Sequence, residues 1–367
     1  MRRALALTGF VSTAGGLVTH GFFFLARAAY GFDDAKNLCL AAALFVPYIP
    51  AALLAGRVGR RIGPRTALHV TNGVMILAGI ALATRPAEWV LWLAAPAYNG
   101  AAGMMWPFIE GYVAGGQHGT RLHRAIGAFN LTWSSTLVPA LWIVGLAGDD
   151  VTFTFAVLVA LHVLAGVAIA GLPSTPLPLD HTSAEPVRAD YPLLLRSSRI
   201  LLPISYLLLD ALSPLLPGVW ARAGIEGGVG PFFSSTWMIA RFFTFALLTR
   251  WSGWRGRVAM LVGGAAALIG GFAASLGGGE VPVVLGGLCG FGLGQGMLYY
   301  AALYYGMAVG KGEVDSGGHH EAVIGLGYLG GPALALLGLG VGIAPLHAVG
   351  AIATLGLVGA FGGWIRR

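Results

Sequence analysis

Charge is scarce in this chain. Its 22 basic and 15 acidic residues are 10% of 367 positions, against roughly 25% in an ordinary soluble domain. A water-facing surface cannot be assembled from so few charges, and 56% hydrophobic residues exclude disorder as well. Cysteine is scarcer still. Cys39 and Cys289 each lie in an apolar stretch, so no disulfide framework and no metal-binding spacing arises, and both read as small buried hydrophobes. No His-Glu-x-x-His helix occurs and no Ser-His-Asp order stands out. No nucleotide-binding domain accompanies the apolar segments, which excludes a self-contained ATP-driven pump. No enzyme activity, cofactor or metal is expected.

Apolar length is what the chain has in abundance. At roughly 20 residues per crossing, its length allows about twelve crossings with short loops. Apolar windows fall at 4–26, 37–56, 66–84, 89–114, 122–147 and 151–172, then at 200–220, 231–249, 258–276, 281–309, 321–342 and 346–365. A helix is the only open-chain structure that satisfies its own backbone in hydrocarbon. The fold class expected is an all-α membrane protein of twelve transmembrane helices. The first window follows Arg2 and Arg3 like a signal sequence, yet it is long and lacks a small-residue cleavage site, so it reads as a retained span.

Arginine placement sets the orientation. With the amino terminus in the cytoplasm, 17 of the 22 basic residues fall on the cytoplasmic side, among them Arg57, Arg60, Arg61, Arg65, Arg121, Arg124, Arg188, Lys311, Arg366 and Arg367. Only Arg27, Lys36, Arg85 and Arg222 fall outside, and Arg241 lies within a span. Both termini are therefore expected in the cytoplasm, in a multi-pass inner (plasma) membrane protein whose natural solvent is the lipid bilayer. The basic excess reflects topology rather than nucleic-acid binding. One long polar stretch, Pro173 to Tyr191, separates six windows from six and reads as a cytoplasmic linker between halves 1–172 and 192–367.

The halves repeat weakly at a nearly fixed offset. Ala26-Arg27-Ala28 recurs 195 residues later as Ala221-Arg222-Ala223, while Gly63 and Gly256, Gly103 and Gly296, and Pro139 and Pro332 recur at 193. Six spans per unit is an even number, so the copies run parallel. The loop between the second and third windows reads Gly56-Arg57-Val58-Gly59-Arg60-Arg61-Ile62-Gly63-Pro64-Arg65. It resembles the Gly-x-x-x-Asp-Arg-x-Gly-Arg-Arg/Lys loop of the major facilitator superfamily, matching at Gly56, Arg61, Gly63 and Arg65. Arg60 stands at the Asp position and Pro64 at an Arg position, which removes the acid of the usual charge relay. Tyr304-Tyr305, His320-Glu321-Ala322, Gly325-x-Gly327 and Gly331-Pro332 are similar to the signature of spans 10 and 11 in bacterial permeases of that superfamily. Pro96 occupies the place of the span 4 arginine that many members carry, and only Pro139 remains of the span 5 antiporter motif. The resemblance covers the whole chain and implies two parallel six-helix halves. It also implies a monomeric secondary transporter of a small-molecule substrate, working by alternating access.

Charge inside a bilayer is costly, so each intramembrane ion is a functional candidate. Four occur: Glu110, Asp210, Arg241 and Glu321. Asp210 and Arg241 lie near the centres of their windows. They read either as a proton and substrate site, with Arg241 holding an anionic group or acting on Asp210, or as a closed structural ion pair. Glu110 and Glu321 lie toward the cytoplasmic side, within reach of Arg61, Arg65 and their neighbours. The resemblance implies a cytoplasmic gate made of ion pairs, with Gly56 and Gly63 in its loop. Arg27 and Arg222 with Asp33, Asp34 and Glu226 form its candidate outer counterpart. On the spans that line the cavity in the superfamily, His20, Tyr98, Asn99, Trp106, Tyr206, Ser213, Gln295, Tyr299 and Tyr300 are polar candidates, with His20 also a possible proton site. Tyr299, Tyr300, Tyr304 and Tyr305 form pairs at four-residue spacing, read first as packing. Gly290-x-Gly292-x-Gly294-x-Gly296 lies in an apolar window with no strand before it, so close helix contact explains it better than nucleotide binding. The functions left open are a proton-coupled transporter, a drug/proton efflux pump and a transport-inactive receptor or scaffold. A membrane-embedded enzyme would need a catalytic cluster, and only His319, His320 and Glu321 offer one.

Overall fold

The computed structural model of the chain describes residues 1–117, 119–177, 189–309 and 314–365, and every regular element among them is a helix. The first part holds α1 (Arg2–Gly16), a π turn (Leu17–Gly21), α2 (Phe22–Tyr30), α3 (Asp34–Phe45), α4 (Tyr48–Ile62), α5 (Pro64–Thr84), α6 (Glu88–Ala114), α7 (Gly119–Ala147) and α8 (Val151–Ala170). After the polar stretch come α9 (Tyr191–Leu212), a 3₁₀ turn (Ser213–Leu215), α10 (Leu216–Arg222), α11 (Val229–Ser234) and α12 (Thr236–Arg250). The chain ends with α13 (Val258–Gly277), α14 (Val281–Val309), α15 (Val314–Gly340) and α16 (Pro345–Ile365). The centre of the expected linker, residues 178–188, lies outside the described residues, as do Arg188, Lys311, Arg366 and Arg367.

Eleven helical stretches among the described residues are long and apolar enough to cross a membrane. The window at 89–114 folds as the 27-residue α6 but is not one of the eleven. Glu88, Asn99, Pro96, Pro107 and several glycines dilute its apolar character. The candidate span after the polar stretch starts at Tyr191 rather than near 200 and runs to Arg222. Its 3₁₀ turn falls at Pro214, where proline withholds an N–H from the helical ladder.

Large apolar side chains such as Leu77, Leu93, Leu146, Val167, Leu337 and Leu355 are exposed, a surface suited to lipid. Cys39 and Cys289 are exposed too, which corrects the expectation of burial. Lipid tails are as apolar as a protein interior, so a small apolar residue loses nothing by facing outward.

The helices group into two compact units, one formed by Met1–Phe32, Ala43–Ala184 and Gly312–Gly325, the other by Asp33–Ala42, Glu185–Lys311 and Leu326–Arg367. In the first unit small residues set the helix contacts. A Cβ on Gly16 would meet Ala140 and Leu137 of α7, and one on Gly79 would meet Leu158 and Val159 of α8. Gly63, at φ 85°, separates α4 from α5, and Pro64 follows at the first helical position, where its missing N–H costs nothing. The beginning of the polar stretch is not a free linker. Arg65 donates from Nη1 to the Leu172 carbonyl (3.0 Å) and the Tyr112 hydroxyl donates to the Pro173 carbonyl (2.9 Å).

In the second unit the glycine run of α14 divides between two neighbours. Added Cβ atoms on Gly292 and Gly296 would strike Trp237 and Thr244 of α12, whereas Gly287 and Gly294 face Ser275 and Leu268 of α13. Both stripes follow helical spacing, and the motif is a packing device, as read from the sequence. The repeat offset reappears in these contacts. Gly256 has φ 75°, like Gly63. Gly103 abuts Tyr48, and its counterpart Gly296 abuts Arg241, which occupies the position equivalent to Tyr48.

Candidate functional site

The second unit buries a polar cluster around Arg241. This residue is 1% exposed, on α12, one turn after Trp237. That i, i+4 spacing sets the guanidinium over the indole, 4.6 Å from the ring centroid, a cation–π contact. The glycines of α14 bring Gln295 close, and Arg241 Nη1 donates to Gln295 Oε1 at 3.3 Å. Tyr206 on α9, Tyr299 on α14 and Tyr328 on α15 lie within electrostatic range of the guanidinium. Tyr206 lies edge-on to Tyr328 (4.8 Å) and to Tyr299 (6.2 Å). Gly327 lets α15 approach at this level, since a Cβ there would meet Tyr206 Cβ at 2.8 Å. The cluster therefore joins one fixed cation, one amide and an aromatic wall carrying hydroxyls, groups suited to a polar solute that contains a ring.

Asp210 is in the same unit and is wholly buried, yet it does not pair with Arg241. Among the described residues neither carboxyl oxygen has a hydrogen-bond partner. The ion-pair reading of these two residues is thus corrected. Asp210 lies two residues from the end of α9 and Arg241 in the second turn of α12, and the packing of these helices leaves both Asp210 carboxyl oxygens without a bond to the guanidinium. A buried polar group with no partner costs several kcal/mol by transfer scales, so Asp210 is retained against stability.

The tyrosines of α14 separate by face. Tyr299 belongs to the Arg241 cluster. Tyr300 bonds Thr249 (3.1 Å), Tyr304 bonds Tyr191 (3.1 Å), and Tyr305 accepts from the Gly256 N–H (3.0 Å). With Trp254 these three hold the turn after α12.

The first unit holds the remaining candidates. His20 is buried in the π turn, a type of irregularity frequent at functional sites. The Asn99 amide donates to the Leu44 carbonyl (2.9 Å) at the end of α3, where the helix breaks before Pro47 and a carbonyl would otherwise go unsatisfied. Trp106 stacks edge-on against Phe129 at 6.3 Å. Of the loop residues, Gly56 is buried and Arg61 is exposed, while Arg65 ties down the chain after α8. Glu110 and Glu321 face one another. Arg222 pairs with Asp34 at 2.8 Å on the exposed end of the second unit.

One network was missed in the sequence. His162 on α8 bonds Asn72 of α5 through Nδ1 and Tyr98 of α6 through Nε2, both at 2.9 Å, and the Asn72 amide returns to the His162 carbonyl at 3.0 Å. The geometry assigns the proton to Nδ1, with Asn72 Oδ1 as acceptor and the phenol donating to Nε2. A lone histidine and a lone asparagine within apolar windows were the available signal.

No protein-family model matches the sequence, and no curated protein matches it. In three dimensions the chain is similar to crystal structures of the nucleoside transporter NupG. A mutant form of NupG has a TM-score of 0.71 at 12% identity over 98% of each chain. NupG itself has a TM-score of 0.68 at 13% identity, with 98% of this chain and 97% of that one covered. This all-helical membrane chain shares its fold with a solved transporter.

Proposed function

We propose that the chain is a secondary transporter of a small, polar, ring-bearing solute, with nucleosides the first class to test. The observation that carries this reading is the Arg241 cluster, which gathers a buried cation, the Gln295 amide bonded to it and the packed rings of Tyr206, Tyr299 and Tyr328 in one unit. A nucleoside offers a base to lie against Tyr206 and Tyr299 and hydroxyls to accept from the guanidinium. The shared fold and the NupG substrate class point the same way.

In this reading the chain is a member of the major facilitator superfamily and not an enzyme. It has twelve spans, with α6 as the crossing of lowest hydropathy, in six-helix halves 1–172 and 192–367 joined by a cytoplasmic linker at 173–191. The repeat of Gly63 with Gly256, and of the Tyr48 and Arg241 contacts, supports the two parallel copies. The molecule is a monomer in the inner membrane with both termini in the cytoplasm, and it works by alternating access driven by protons. Asp210 takes up a proton or a cationic group, since a lone buried carboxyl has use only if it is charged or shared at some point of the cycle.

Thermal stabilisation of the purified protein by a panel of nucleosides and nucleobases tests the reading. A shift with at least one nucleoside, lost in Arg241→Gln, is expected. No shift across the panel removes the nucleoside assignment. Arg60 in place of the loop acid favours a second reading, a transport-inactive receptor, which binds a solute but gives no flux in vesicles.

A further inference from the structure

A carboxyl pair in the first unit has no place in the Arg241 cluster. Glu110 lies near the end of α6, and Glu321 lies on the part of α15, up to Gly325, that belongs to this unit. Their carboxyl groups lie within hydrogen-bonding reach of each other. The Tyr48 hydroxyl at the start of α4 donates to Glu321 Oε2. Two glycines make room for that phenol, since a Cβ on Gly103 of α6 would lie 3.0 Å from Tyr48 Cγ and one on Gly325 would lie 3.2 Å from Cδ1. Glu321 is 7% exposed, whereas Glu110 is half-buried, so the pair is closed in less tightly on the Glu110 side.

The chemistry of the contact is restrictive. An ionised carboxylate only accepts hydrogen bonds, so a bond between two carboxyls requires a proton on one of them. Among the described residues the groups that act on the pair are Tyr48 from α4, Glu110 from α6 and Glu321 from α15. His319 and His320 precede Glu321 on α15, and successive helical positions point about 100° apart.

We infer that Glu110 and Glu321 form a proton-binding site that holds one proton between two carboxyl oxygens, exchanges it with water beside Glu110, and couples that exchange to solute movement. Binding converts two carboxylates and one proton into a hydrogen-bonded acid–carboxylate pair with net charge −1. Release leaves two negative charges in contact, which repel and press α6 and α15 apart at this level. The two carboxyls titrate as a unit. The coupling half of the inference rests on the transporter reading; the proton-binding half does not.

Infrared spectroscopy of the purified protein in bilayers, read at the protonated-carboxyl C=O band across pH, tests the site without any solute. An Asp210→Asn background removes the buried Asp210 carboxyl. Glu110→Gln and Glu321→Gln are each expected to abolish the same band component, and the double variant to remove nothing further, because a single proton is shared. Tyr48→Phe, which removes a hydroxyl and no carboxyl, is expected to shift that component without abolishing it. Two components that disappear independently, or a band indifferent to both substitutions, would overturn the site. In vesicles under an inward proton gradient, with radiolabelled uridine as the probe, Glu321→Gln is expected to equilibrate uridine with an internal-to-external ratio of one. Accumulation by Glu321→Gln equal to that of the wild type overturns the coupling role. Absence of flux in the wild type instead counts against the nucleoside reading and leaves the infrared result to decide the site.

Discussion

Gly21→Ala isolates the close helix contacts on which this fold depends. Gly21 closes the π turn that carries His20, and an added Cβ would lie 2.6 Å from Val144 Cγ2 and 3.5 Å from Val144 Cβ on α7. The first distance is well inside van der Waals contact, and the second is ordinary. Overpacking of this kind costs about 1–3 kcal/mol, offset by the ~0.5–1 kcal/mol that alanine gains over glycine in a helix. Val144→Ala alone deletes two methyl groups, about 1.6 kcal/mol at 0.8 per group. Together the substitutions are complementary, because the new methyl enters the space left by Val144. A coupling energy of about 1–3 kcal/mol is expected, within the range seen for residues in contact. With ~2.1 cal/mol/K of unfolding entropy per residue over 367 residues, each kcal/mol corresponds to roughly 1.3 °C. Apparent melting temperatures of the four proteins in detergent, at one scan rate, measure the cycle. The double variant should melt about 1–4 °C above the sum of the single effects. Strict additivity would refute the contact geometry.

Three further outcomes are expected. His162→Leu leaves the Tyr98 hydroxyl and Asn72 Oδ1 buried without their partner, at about 1–3 kcal/mol per group; a melting temperature equal to the wild type would dismiss the network. Gly63→Ala forces a side chain into φ 85°, ψ 144°, a conformation that costs on the order of 1–3 kcal/mol. Gly73→Ala on α5, where a Cβ meets nothing within 4 Å, should raise stability slightly, so the reverse order of the two melting temperatures would sink the backbone argument. Asp34→Asn breaks the 2.8 Å pair with Arg222, but those side chains are 28% and 61% exposed. The effect should stay below about 1 kcal/mol and shrink with added salt; a large, salt-independent loss would show the pair to be structural.

The membrane class, the positions of most spans and the role of the glycine run were legible in the sequence because each follows from composition and local period. Asp210 and Arg241 stood out in the sequence as charges within apolar windows, and both are buried, but azimuth was not legible. Pairing depends on how α9 and α12 are rotated against their neighbours. The meeting of Glu110 with Glu321 depends on long-range packing around Tyr48 and two glycines, and no local pattern announces it. The early start of α9 at Tyr191 was hidden by Arg196 and Arg199, which lower hydropathy without breaking a helix. Arg65 carried a gate reading from its motif, and its bonds to the chain after α8 belong to tertiary structure alone. His162 was as visible as His20, and its partners on α5 and α6, which no local pattern announces, make it a bonded core histidine.

Flux tests the central claim most directly. In proteoliposomes loaded at alkaline pH and placed in acidic buffer, the wild type should take up radiolabelled uridine or another nucleoside saturably and above equilibrium. Arg241→Gln should lose a charge-assisted hydrogen bond worth about 1.5–3 kcal/mol, raising KM by roughly 10–150-fold at 1.4 kcal/mol per decade. Uptake that never saturates across nucleosides and nucleobases, or a KM unmoved by Arg241→Gln, would contradict a transporter that binds its solute at this cluster.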